Sequence, residues 1–137
     1  MRQKLIQSKF KKITLERTSG FVSFQSYSIE IYADGIVNLS VIKFQDKIGS
    51  YSWKIESEAV KTLNESIFKY GFFTMKGKEP TITATDMSFC NISILLENGR
   101  FREIEHYLGE NKYPIRLATL ENKIEKIIHV GQYIGKW

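Results

Sequence analysis

One cysteine, Cys90, and two histidines, His106 and His129, are scant material for nucleophilic or metal chemistry. A thiol nucleophile needs an imidazole within hydrogen-bond reach to take its proton. The pair would be Cys90 with His106 or His129. The stretch Met87–Leu96 and the stretch Phe101–Leu108 read as a hairpin, which places Cys90 near His106 on facing strands. Cys90, however, belongs to an apolar row with Ile92, Ile94 and Leu96, and a buried cysteine behaves as a small hydrophobe. The expectation is a packed, unreactive thiol. No two histidines or cysteines stand at zinc-ligand spacing, so neither a metal nor a cofactor is expected.

A second set is Asp86, His106 and Tyr107. Asp86 closes a long loop and His106-Tyr107 ends the neighbouring strand, so the three meet at one end of the hairpin. An Asp–His contact could orient an imidazole for acid/base work, as in a hydrolase. The competing reading is structural: Asp86 satisfies loop N–H groups and His106 lies beneath the loop. The aromatics Phe21, Phe24, Tyr32, Tyr51, Trp53, Tyr113, Tyr133 and Trp137 exceed what one helix-covered face requires, and Phe21, Phe24, Tyr32 and Trp53 are the candidates for binding a partner or ligand. An exposed patch of them would mark a partner or ligand site.

The formal net charge of +5 has a local origin. Arg2, Lys4, Lys9, Lys11 and Lys12 supply it, and the remaining 15 basic residues equal the 15 acidic ones. The chain divides into a basic N-terminal arm, residues 1–12, and one neutral domain, residues 13–137. The arm can attract nucleic acid or an anionic surface, or it can be a solvated terminus. MRQKLIQSKFKK lacks the apolar run and small-residue cleavage site of an intact secretory signal. No apolar run reaches the length of a membrane span. The expected location is the cytoplasm, with an export signal already removed as the alternative. A lone cysteine forms no internal disulfide, which agrees with a reducing compartment.

The elements that must position these residues follow from periodicity. Ile13–Thr18 alternates and reads as a strand. Tyr27, Ile29 and Ile31 alternate with polar residues, as do Val37, Leu39 and Val41 after Asp34-Gly35. Pairing Ile31 with Val37, Ile29 with Leu39 and Tyr27 with Val41 keeps all six on one face. Ala33-Asp34-Gly35 is then the loop, with Gly35 left-handed. Ser50–Ile55 continues the meander. Ser57 is expected to cap a helix with the stripe Val60, Leu63, Ile67 and Tyr70, stopped by Gly71. Thr74–Asp86 is a long irregular stretch, of the kind that is functional or mobile. Pro114 suits the first position of a last helix, whose stripe is Leu117, Leu120, Ile124, Ile127 and Ile128. The two glycines of Val130–Trp137 break that helix into a packed tail. The order is strand meander, helix, hairpin, helix. The expected fold is α+β: a twisted antiparallel sheet of about five strands with two helices on one face.

Several residues also resemble a known family. Arg17-Thr18, the run Tyr27–Gly35, Thr85-Asp86, Asn98-Gly99, His106-Tyr107, Pro114 and Leu120-Glu121 resemble the bacterial domain of unknown function 6438. That family reads Arg-Thr-Pro-Cys-Phe-Gly-X-Cys-Pro before its Tyr-Ser strand. Without gaps its two cysteines fall on Gly20 and Phe24, and its second proline on Gln25. The resemblance implies that whatever those cysteines do in relatives is done differently here. It also implies bacterial origin, often in exported or lipid-anchored proteins. It carries no activity.

The leading functional expectation is a non-enzymatic binding module. It would present a sheet face, the 19–26 loop and the 74–86 loop to a protein or a small ligand. The alternatives are a hydrolase-like enzyme using Asp86 and His106, and nucleic-acid or anionic-surface binding through the arm. Oligomeric state, monomer or dimer, is open.

Overall fold

The hairpin register is the one the apolar pattern demands. In β2 (Ser26–Tyr32) and β3 (Ile36–Lys43), Tyr27 stands opposite Val41, Ile29 opposite Leu39 and Ile31 opposite Val37. A slip of one residue would turn one row toward solvent. Gly35 adopts φ +94° and donates its N–H to the Tyr32 carbonyl at 2.9 Å. The Ile36 N–H is held by the Asp34 carboxylate at 3.0 Å. Positive φ is open to glycine at little cost.

The computed structural model describes residues 8–18, 26–43, 49–79, 88–107 and 112–134. Among them are four further strands, β1 (Phe10–Thr18), β4 (Gly49–Lys54), β5 (Phe89–Leu96) and β6 (Phe101–Tyr107). All six form one antiparallel sheet in the order β4-β3-β2-β1-β5-β6. The α+β class stands, but the sheet has six strands rather than about five. Every stretch read as a strand, Ile13–Thr18 included, joins the same sheet, because β1 pairs with β2 on one side and β5 on the other. It thereby joins the meander and the later hairpin into one sheet.

Strand β1 starts at Phe10, so Phe10, Lys11 and Lys12 of the expected arm are sheet residues. Phe10 and Ile13 are both fully buried, although their odd spacing should put them on opposite faces. A register irregularity between Phe10 and Lys12 resolves this. A bulge adds one residue and turns Phe10 back toward the core.

The helices are α1 (Ser57–Lys69), α2 (Ile115–Ile127) and a single turn, α3 (Gly131–Ile134). Glu56, not Ser57, occupies the cap position of α1, and no side chain caps it. Leu63 and Ile67 of the expected stripe are buried. Gly71 follows at φ +69°, and the Phe72 N–H reaches back to the Ile67 carbonyl at 3.1 Å. That closes the helix as a C′ glycine does. Pro114 precedes α2 at its cap position. His129, at φ +58°, separates α2 from α3.

Candidate functional site

The inner face of the sheet carries one polar row within an apolar core. Tyr27 of β2 pairs with Arg17 of β1, Arg17 with Cys90 of β5, and Cys90 with His106 of β6. Four neighbouring strands thus offer a phenol, a guanidinium, a thiol and an imidazole side by side. Strand alternation explains why they share a face: Arg17 continues the parity of Ile13 and Leu15, and His106 that of Ile104. The row lies at the end of the sheet where the chain leaves β1 and β6 and enters β2 and β5.

Helix α2 meets the row with two carboxylates, Glu121 and Glu125. Both are fully buried. A spacing of four residues puts them on one helical face. Glu125 is held in a fork by Arg17, with Nε to Oε2 at 2.8 Å and a terminal nitrogen to Oε1 at 3.1 Å. The Tyr27 hydroxyl donates to the same Oε2, and Arg17 also reaches the Asn122 side-chain oxygen at 3.2 Å. Glu121 faces the other half of the row. His106 Nε2 lies 2.9 Å from Glu121 Oε1 and 2.7 Å from Oε2.

Electrostatics follow from this burial. Desolvation would lower the pKa of Arg17, but the Cys90 sulfur and the Glu125 carboxylate outweigh it, and the guanidinium is held more firmly protonated than usual. Burial, reinforced by Glu125, pushes the Tyr27 phenol well up. Burial and the adjacent Glu121 carboxylate push the Cys90 thiol well up. A neutral, buried thiol is a poor nucleophile, in keeping with the expected packed Cys90.

Of the residues singled out from the sequence, those that the structure describes do not gather at one site. Asp86, Phe21, Phe24, Gly20, Arg2 and Lys4 lie outside the described residues. His106 is turned inward to Glu121, whereas Tyr107 projects from the opposite face and meets Phe89 edge-on at 5.9 Å. Trp53 is a packing residue: it stacks on Tyr133 at 4.2 Å and donates its indole N–H to the Ile128 carbonyl at 3.0 Å. Tyr32 is half-buried, with the Lys12 ammonium 5.5 Å from its ring. Lys12 is also paired with Glu30 at 3.0 Å, while Lys9 and Lys11 are exposed.

Sequence reasoning missed Glu121 and Glu125. The signal was present: Leu117, Leu120, Ile124 and Ile128 define a stripe that runs through positions 121 and 125. A carboxylate inside such a stripe is buried, and a buried carboxylate needs a partner. Arg102 is a further polar side chain on β6 that turns toward the core. It shares the inner parity of Ile104 and donates to the Phe72 carbonyl at 2.8 Å.

The polar row and its two carboxylates fall within a single family match. A model described as Domain of unknown function (DUF6438) covers residues 11–128. The chain belongs to the DUF6438 family. The DUF6438 span begins in β1 and ends just beyond α2, so Arg17, Tyr27, Cys90, His106, Glu121 and Glu125 all lie inside it. A search of curated proteins finds no match.

Proposed function

We propose that this DUF6438 domain is a non-enzymatic binding module that presents the outer face of its sheet to a protein or small ligand. The observation that carries this reading is the contrast between the faces. The inner row is spent on the core, as the strict alternation of β5 illustrates. On the outer face, Ser28, Glu30, Asn38, Ser40, Ser50 and Ser52 line a shallow depression of about 350 Å³. Hydroxyls, an amide and a carboxylate on a pleated surface favour a ligand recognised through hydrogen bonds. The 19–26 and 74–86 loops belong to the same proposal.

The reading takes α1 and α2 as lying together on the inner face. Four contacts support it: α2 meets inward side chains of β1, β2 and β6, and Asn64 of α1 accepts the Phe10 N–H at 2.8 Å. A hydrolase built on Asp86 and His106 has less support, because His106 points its Nε2 at Glu121. Anionic-surface binding through the arm has less support too, because Lys12 is engaged by Glu30. A bacterial cytoplasmic location belongs to the same proposal, on the ground that the lone cysteine suits a reducing compartment. No helix among the described residues is long and apolar enough to cross a membrane.

Amide-resolved NMR of the labelled chain, titrated with peptide and oligosaccharide mixtures, tests the proposal. Shifts centred on Ser28, Asn38, Ser40 and Ser52, lost in a folded Ser40→Arg variant, are expected. Shifts confined to other surfaces, or none with any mixture, would overturn it. Salt-sensitive DNA binding that disappears on deleting residues 1–11 would instead support the arm.

A further inference from the structure

We infer that Cys90, His106 and Glu121 form a structural site for a zinc-class divalent cation. Their donor atoms, one thiol sulfur, one imidazole nitrogen and a carboxylate oxygen, all lie within 4.8 Å of one another. They come from three different elements, β5, β6 and α2. Exposure of the three is 0%, 7% and 0%. Convergence of a soft sulfur, a borderline nitrogen and a hard oxygen at one buried point is the donor chemistry of zinc. Both Glu121 oxygens lie within 3 Å of His106 Nε2, so a bidentate carboxylate supplies a fourth donor without another residue.

Charge accounting favours the same assignment. The fork from Arg17 answers the Glu125 carboxylate. The Glu121 carboxylate faces Cys90 and His106 instead. A divalent ion there is neutralised by one carboxylate and one thiolate, leaving the whole buried cluster without net charge. On binding, Cys90 releases its proton to solvent and the sulfur lone pair goes to the metal. The ion would fasten α2 to the β5–β6 hairpin at the end of the sheet. Because the ligands come together only in the folded chain, loading is coupled to folding.

Cobalt(II) added to the full chain, after treatment with a chelator, tests this. Expected are one equivalent bound, near-ultraviolet thiolate-to-cobalt absorption, visible bands of four-coordinate cobalt, and displacement of cobalt by zinc(II). Zinc should also raise the thermal midpoint. Cys90→Ser should remove the thiolate absorption, and Glu121→Gln should weaken cobalt binding by about 10–100-fold, the scale on which even supporting residues of metal sites act. His129→Gln, an exposed position, should change nothing. Circular dichroism establishes that each variant is folded. Failure of the folded wild-type chain to bind cobalt, or thiolate absorption that survives in Cys90→Ser, would overturn the inference without reference to any variant's stability or to outer-face binding.

Discussion

Glu121 and Glu125 stand one turn apart on α2, both without solvent exposure, and they divide the polar row between them. Glu125 gathers Arg17 and Tyr27, and Glu121 faces His106. The i,i+4 spacing would be unfavourable for two exposed like charges. Here the two carboxylates turn to different strands, Glu125 to β1 and β2 and Glu121 to β6. The pair is therefore a clamp of α2 across β2, β1 and β6.

The Arg17–Glu125 fork should behave as a buried ion pair. Arg17→Met leaves a charged carboxylate in the core and should cost about 3–5 kcal/mol. The double variant Arg17→Met/Glu125→Leu should recover much of that loss, since replacing both charges removes the unpaired one. Chemical denaturation of the two single variants and the double variant measures the coupling. Additive losses would contradict the pairing.

Tyr27 should make the protein sensitive to alkali. Its folded pKa is raised by burial and by Glu125, while an unfolded tyrosine ionises near about pH 10. Below that pH both states keep the phenolic proton. Above it the unfolded chain loses the proton and the folded chain retains it, so stability falls as pH rises, by up to about 1.4 kcal/mol per pH unit. Denaturation midpoints between pH 8 and pH 11, chosen to bracket that ordinary value of about 10, should fall less steeply in Tyr27→Phe than in the wild type.

Cys90 should resist alkylation. It is fully buried and its thiol is held protonated, so a neutral maleimide should react only when the chain opens. Labelling followed by mass spectrometry, with and without denaturant, measures this. Rapid labelling of the native chain would show an accessible, activated thiol.

Gly35→Ala should destabilise by more than the roughly 1 kcal/mol that a left-handed alanine costs. A Cβ at this position would stand 2.6 Å from the Ile55 carbonyl oxygen, a backbone atom just beyond the end of β4. The Ile55 N–H donates to the Gly35 carbonyl at 2.8 Å, so neither strand can retreat without losing that bond. Denaturation of the alanine variant measures the cost.

Local patterns carried most of the scaffold. Alternation set the register of β2 against β3, and Asp34-Gly35 set its turn, because both depend on residues within a few positions of each other. The helical stripes located Leu63, Ile67, Leu117, Leu120 and Ile124 for the same reason. The hairpin pattern also placed Cys90 opposite His106. Pairings between distant segments were beyond local reading. That β1 would lie between β2 and β5 depends on contacts across more than 70 residues of chain.

The sequence by itself determined the α+β order of elements, the faces of the strands, and the presence of a thiol and an imidazole on neighbouring ones. Only the tertiary structure decided what those groups meet. The docking of α2 over β2, β1, β5 and β6 turned two glutamates of an ordinary-looking helix into buried partners. Burial of a carboxylate depends on which element covers it, and that is settled when the whole core packs, not by the neighbours of Glu121 and Glu125 along the chain.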